Sequence, residues 1–167
     1  MPHIQGLAPI ENANAKVLIL GSMPGEASLR AGEYYAHPRN LFWRIMGSLI
    51  SLAPESPYEQ RVQALKSARI ALWDVLHTCT REGSLDVNID RASQVPNDFQ
   101  SFFARHSNIT HVFFNGAVAE KAYRRHVLAN IKVASIEYLG LPSTSPANAS
   151  ISYERKLEAW RAISGVI

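Results

Sequence analysis

The sequence predicts an α/β fold: a three-layer α/β/α arrangement around a central four-stranded parallel sheet. Three observations predict it. Short apolar runs of strand type alternate with longer segments whose apolar residues recur at helical spacing. The strand-like runs empty into loops rich in Gly, Pro, Ser, Thr or Asn. The alternation is of the βα kind, which requires parallel strands covered on both faces and right-handed crossovers. The 167 residues are 47% hydrophobic and 19% charged, enough for one sizeable core. No repeat, low-complexity tract or linker divides residues 1–167, so a single domain is expected.

The first strand covers about Lys16 to Leu20, on the run Val17-Leu18-Ile19-Leu20. A loop follows, Gly21-Ser22-Met23-Pro24-Gly25, leading to Tyr34-Tyr35-Ala36-His37-Pro38-Arg39-Asn40. A helix from about Asn40 to Leu52 places Phe42, Ile45, Met46, Leu49 and Ile50 on one face, and Pro54 and Pro57 end it. A second helix spans about Tyr58 to Ala68, with Val62 and Leu65 inward. The second strand is about Arg69 to Val75. Leu76 to Val95 reads as one long irregular loop, a length that compact domains usually keep for function. A third helix begins near Pro96, a residue suited to a first helical turn, and carries Phe99, Phe102 and Phe103. The third strand, Thr110 to Phe114, ends at Asn115-Gly116, and a fourth helix runs from Ala117 to about Leu128. The fourth strand is Ile131 to Tyr138. After a second Pro/Ser/Thr/Asn loop, Gly140 to Ala149, the last helix starts near Ser152 as N-cap and carries Tyr153, Leu157, Trp160 and Ile163 inward.

Composition excludes several classes. The net charge of +3 permits a polyanionic partner without demanding one. Cys79 is the only cysteine, so no internal disulfide and no cysteine-ligated cluster can form, and it reads as a small buried thiol. No His/Asp/Glu spacing makes a metal site, and no cofactor is expected. The residues from Met1 to Gln5 lack the pattern of a secretory signal, and no apolar run approaches the ~18 residues of a membrane span. An intracellular, cytoplasmic protein without membrane contact is expected.

All candidate functional segments, 21–43, 74–90, 115–116 and 140–149, lie just past the carboxyl end of a predicted strand. That is where open α/β sheets build their pockets. The aromatics of the first segment suit a flat ligand, and its glycines suit close approach of the backbone to it. On residue type alone, Asn40 is a helix cap and Asp74 a loop cap, while Asn115-Gly116 forms a turn leading into a helix. His37 shapes its loop or meets a phosphate. Arg124, Arg125 and His126 read as a solvated helix end.

Three stretches together resemble the uracil-DNA glycosylase superfamily, and within it the deoxyinosine (hypoxanthine) branch. They are Gly21–Gly25 with Tyr35-Ala36-His37-Pro38-Arg39-Asn40-Leu41-Phe42-Trp43, then Ala71-Leu72-Trp73-Asp74-Val75, then Leu141-Pro142-Ser143-Thr144-Ser145-Pro146-Ala147-Asn148. The first is the most specific and the second the least. The mismatch-specific uracil enzymes are similar over the first stretch, but their water-positioning loop asparagine is replaced here by Met23, whose thioether cannot hold a water in that way. Many members carry a His where this chain has Leu141.

The resemblance implies a monofunctional DNA glycosylase that flips out a deaminated base, hypoxanthine first and uracil as the alternative, from double-stranded DNA. It implies Asn40 as the residue that positions water and Tyr35 as the stacking aromatic. Asp74 falls where the uracil enzymes read the base, and it acts on the base edge, the sugar cation or the water. Ser22, Met23 and Asn115 complete the base-binding set. His37, Leu141, Pro142, Ser143, Thr144, Ser145 and Asn148 form the DNA-binding set, with Leu141 as an apolar wedge and the hydroxyls on phosphate oxygens. No lysine in these stretches is placed for a Schiff base, and a monomer is expected. Two other classes remain open: a non-catalytic nucleotide- or DNA-binding module on the same fold, and a small-molecule hydrolase using Ser22. For the second, no His/Asp partnership follows from spacing.

Overall fold

The computed structural model of the chain describes residues 2–133 and 135–167. Four parallel strands form the central sheet: β2 (Val17–Gly21), β3 (Ile70–Asp74), β6 (His111–Asn115) and β7 (Glu137–Leu141), in the order β3-β2-β6-β7. Register is set residue by residue, Val17 lying between Ile70 and His111, and Leu20 between Trp73 and Phe114. Period-2 alternation then sorts the core into two layers. Leu18, Leu20, Val112 and Phe114 face α4 (Phe99–Arg105) and α5 (Ala117–His126) through Phe99, Phe102, Phe103 and Tyr123. Val17, Ile19, Leu72 and Phe113 face α2 (Phe42–Ile50), α3 (Tyr58–Ser67) and α6 (Tyr153–Trp160) through Phe42, Ile45, Leu65 and Trp160. Every residue of β2 and β3 is buried, as strands covered on both faces must be.

Four expectations are corrected. The first loop contains a short helix, α1 (Glu26–Ala31), which Gly32 ends at φ +66°. The stretch 76–95 is not one loop. It opens with β4 (Leu76–Thr80), which pairs antiparallel with β1 (His3–Gln5) and β5 (Val95–Pro96) in a second, three-stranded sheet. Thr78 and Cys79 looked like loop composition, yet Cys79 is fully buried in the α4/α5 layer. Pro96 belongs to β5, and α4 is instead capped by Asp98, whose carboxylate accepts from Ser101 N–H. The fourth strand occupies Glu137–Leu141 rather than Ile131–Tyr138, because its pairing with β6 starts at His111↔Glu137. Ile131, Val133 and Ile136 pack against the α4/α5 layer without joining the ladder, and Ala134 lies outside the described residues.

The strand order places β2 and β6 side by side although β3 follows β2 in the chain. This is a topological switch point, where loops from neighbouring strands leave in opposite directions and a cleft opens. Among the described residues, no helix is long and apolar enough to cross a membrane.

Candidate active site

A cleft of ≈ 960 Å³ opens over the carboxyl ends of β2, β3 and β6. Its floor is Gly21 and Asp74, paired side by side at the ends of β2 and β3. A side chain at Gly21 would put its Cβ 2.5 Å from Asp74 Oδ1 and 2.8 Å from Tyr35 Oη. Glycine is required here by lack of space, not by backbone conformation.

Asp74 is 4% exposed, and its Oδ2 has no hydrogen-bond partner. Burial, and after it the charge of Asp86, pushes its carboxyl up to about 7, against the pull of Arg81. Its backbone carbonyl is held by Asn97 Nδ2 at 2.8 Å. Tyr35 has a left-handed backbone at φ 53°, a strained state for a tyrosine worth roughly 1–3 kcal/mol. One face of its ring stacks on Phe42, 4.3 Å between centroids. Its hydroxyl is the second orphaned polar atom of the floor. Burial first, and then Asp74, drives this phenol far above its ordinary range, so it remains an O–H donor. The nearby Asn115 amide offsets part of that shift, but Asn115 makes its hydrogen bonds to Thr144. Two unpaired polar atoms in the floor of a cleft are costly alone and become satisfied by a polar ligand.

Asn40 lies at the mouth of this floor and lines the cleft. Its Oδ1 accepts from Phe42 N–H at 2.9 Å, so it caps the first N–H of α2 from one residue ahead of the N-cap position, Leu41. The cap uses only the oxygen, which leaves the Nδ2 donors for a ligand or water. His37 and Arg39 are exposed on the same rim, and His37 Nδ1 accepts from Arg39 N–H.

Two lips flank the floor. One is 142–148. Thr144, expected on phosphate, is instead fully buried: Asn115 Nδ2 donates to its Oγ1 and its N–H donates to Asn115 Oδ1, both at 2.9 Å. Asn115 therefore spends its amide on this lip rather than on a base. Leu141, expected as a wedge, is 5% exposed and packs into the α2/α6 layer, because it is the last residue of β7 and faces inward there. Ser143 Oγ accepts from Ser145 N–H, Asn148 Nδ2 donates to Ser143 O, and Trp160 Nε1 donates to Pro142 O. Lys156, only 2% exposed, donates from Nζ to Asn148 O at 2.7 Å. Its spacing with Tyr153, Leu157 and Trp160 on the inward face of α6 was the available sequence signal.

The other lip is Ser84 to Asn88, wound as a 3₁₀ turn at Asp86–Asn88. Ser22 donates from Oγ to Asp86 Oδ1 at 2.7 Å, so its hydroxyl serves this lip. Glu26 N–H donates to Ser84 Oγ at 2.8 Å. Burial raises the Asp86 carboxyl above its ordinary value, with the Ser22 hydrogen bond and Arg81 limiting the shift. Arg81, 1% exposed, donates to Pro24 O and Gly83 O and so ties the first loop to this lip. Asp86 and Arg81 were missed: they stand in a stretch that reads as loop, and nothing in their spacing marks them. Met23 is buried and lines the cleft as an apolar wall. Among the described residues, no three His, Cys, Asp or Glu side chains are grouped to hold a metal ion.

The fold and cleft define a class: a three-layer α/β/α protein with a cleft at the switch point of its parallel sheet. The family model of the uracil DNA glycosylase superfamily matches residues 8–164, and the chain belongs to that superfamily; it is a DNA glycosylase, a hydrolase of N-glycosidic bonds. The hypoxanthine DNA glycosylase of Methanosarcina acetivorans (strain ATCC 35395) is 35% identical over 160 residues, covering 95% of this chain and 96% of that one. That of Methanosarcina barkeri (strain Fusaro) is 42% identical over 113 residues, 67% of this chain and 70% of its own. A solution NMR structure of a Methanosarcina acetivorans protein, provisionally described as a uracil DNA glycosylase, superposes with TM-score 0.83 at 32% identity over 99% of both chains.

Proposed function

We propose that this chain removes hypoxanthine from deoxyinosine in double-stranded DNA, acting in the cytoplasm as a monomeric, single-domain and monofunctional glycosylase. The relatives named for that activity support the substrate. The observation that carries the reading is the floor of the cleft, where Asp74 Oδ2 and Tyr35 Oη are buried, orphaned and crowded against Gly21. A purine edge with a carbonyl and a ring N–H satisfies both. Tyr35 donates its O–H. Asp74, balanced between its two forms near neutrality, donates as the acid or accepts as the carboxylate.

An ionised Asp74 would repel a base leaving with its bonding electrons. The acid form therefore fits the reaction: it donates a hydrogen bond to the hypoxanthine as the C1′–N9 bond breaks, and negative charge grows on the base. A water oriented by the free Nδ2 of Asn40 adds to C1′, and its displaced proton ends on the departing base. Hydrolysis on these terms consumes water alone. Ser143, Ser145 and Asn148 on one lip, with His37 and Arg39 on the rim, are the groups for phosphate and sugar contacts.

The test is base excision from duplex oligonucleotides carrying one deoxyinosine or one deoxyuridine, with alkali revealing abasic sites. Inosine cleavage that collapses in Asn40→Ala supports the reading. Cleavage of uracil alone changes the substrate, and cleavage of neither, with DNA binding intact, returns the chain to a binding role.

A further inference from the structure

A second cavity, of ≈ 710 Å³, opens at the other end of the sheet. Lys16 stands immediately before β2 and Arg69 immediately before β3, and both line it. Gly21 and Asp74, at the far ends of the same two strands, form the floor of the cleft. Five residues of strand separate the two openings, ~17 Å of sheet. A duplex laid across the cleft therefore meets one pole of the molecule, and this cavity faces the other.

Its lining is one-sided in charge. Lys16, Lys66 and Arg69 line it and no carboxylate does. Among the described residues, none of these three side chains makes an ion pair. Lys66 lies in the last turn of α3, where a cation complements the helix dipole, but Lys16 and Arg69 lie outside that helix. The remaining lining groups are amides and one hydroxyl. The walls are held in place: Asn12 Nδ2 donates to Lys66 O at 3.5 Å, Asn108 Nδ2 to Ala13 O at 3.2 Å, and Lys16 N–H to Arg69 O at 2.8 Å.

The backbone supplies a separate observation. Arg69 has a left-handed conformation, φ 64°, at the junction where α3 gives way to β3. Glycine holds such a position without strain. Of the three non-glycine residues with this backbone among the described residues, Tyr35 stands in the cleft and Arg69 in this cavity. Strain retained at a cationic side chain points to a task for that side chain. Arginine, lysine and neutral amides are the groups that hold phosphate and sugar oxygens. No aromatic residue lines the cavity, so it offers no platform for a base. It suits a phosphodiester backbone without regard to sequence.

We propose that this basic cavity is a second DNA site, which holds the backbone of a separate duplex segment while the cleft engages the first. Two sites on opposite poles let the protein pass between DNA segments without release. The inference needs only that the chain binds DNA, whichever base it removes.

The experiment is a sandwich capture. Undamaged duplex fixed on beads is saturated with protein, washed, and offered a fluorescent undamaged duplex. Wild type should retain the second duplex, and Lys16→Gln/Arg69→Gly should retain about tenfold less or lower. The salt dependence of retention should flatten by about two logarithmic units per decade of salt, as two phosphate contacts are lost. Excision from a short duplex should stay within about twofold of wild type, and the melting temperature should not fall, because glycine relieves the strain at position 69. Lys66→Gln, which leaves the β2–β3 junction intact, should lose about threefold and serves if the double variant folds poorly. Capture by the variants equal to wild type, or no capture by wild type, overturns the proposal. So does capture that inorganic phosphate abolishes at matched ionic strength, which assigns the cavity to a free anion. A wild type that captures no second duplex yet retains poly-glutamate, with loss in the variants, assigns it to an acidic protein segment and overturns the proposal as well.

Discussion

The two lips of the cleft solve opposite problems with similar material. Both are short, polar loops with one or two large aliphatic residues. In the 141–148 lip the aliphatic residue, Leu141, turns into the core, and the polar groups bond among themselves and to Asn115, Lys156 and Trp160. In the 84–88 lip Ser84 and Asp86 bond back to Glu26 and Ser22, while Leu85 and Val87 stand exposed. The first lip continues directly from a buried strand, so its first side chain inherits the strand's inward face. The second follows the small antiparallel sheet as a ridge held by hydrogen bonds to Ser22 and Glu26 and by the charge of Arg81 on Asp86. A loop's composition therefore does not say which of its residues are buried and which stand at the cleft; its anchorage does.

The floor between the lips is the place to break this arrangement hardest. Gly21→Ala would drive a methyl into Asp74 Oδ1 and Tyr35 Oη, and we expect excision to fall by roughly 100-fold or more with the fold retained. Single-turnover rates beside a far-ultraviolet circular dichroism melt check this.

Asp74 gives the next effect, on stability. Its carboxyl is raised from 3.8 to about 7 in the folded chain. Between those values the folded protein holds a proton that the unfolded one releases, so stability falls as pH climbs from about 4 to about 7, and the cost is complete above that. Three pH units correspond to about 4 kcal/mol. Asp74→Asn should thus stabilise the protein at pH 8 and change little at pH 4, measured by urea unfolding at both. Its amide still donates, so the variant should retain excision but lose the decline that wild type shows as pH rises through 7. A wild-type rate that rises through pH 7 would assign the carboxylate form instead.

The lips themselves give the smaller effects and sharpen their contrast. Asn115→Ala leaves the buried Thr144 N–H without a partner and should cost about 1–3 kcal/mol, with weaker binding of duplex DNA. Ser22→Ala frees Asp86 and should cost only about 0.5–1.5 kcal/mol. Urea unfolding of the two variants checks both figures, and equal losses of stability would erase the distinction between the lips.

Much of the fold is legible in the sequence because it rests on local periodicity. The runs at Val17 and Ile70, and the helical stripes from Phe42, Phe99 and Tyr153, state which face each element buries. The edge of the sheet was harder: Ile131 and Val133 alternate as a strand would, yet only pairing with β6 decides where β7 begins. The small antiparallel sheet was missed because Leu76–Thr80 is half polar, as a strand with one partly open face must be. In the site, Gly21, Tyr35, Asn40 and Asp74 were legible from their place after strands and from the motif they share with a family. Asp86 and Arg81 were not, since each acts through a partner far away in the chain, Ser22 and Pro24; Lys156 sat on the inward stripe of α6 and was passed over because a lysine there reads as solvated.

By itself the sequence determined the layers, the end of the sheet at which the cleft opens and the chemical groups available there, because periodicity and strand-end loops are local properties. The tertiary structure alone decided that Leu141 is core and Val87 surface, that Thr144 is a brace, and that Asp74 holds its proton near neutrality. Burial and desolvation are sums over atoms supplied by distant segments, and no window of sequence contains those sums.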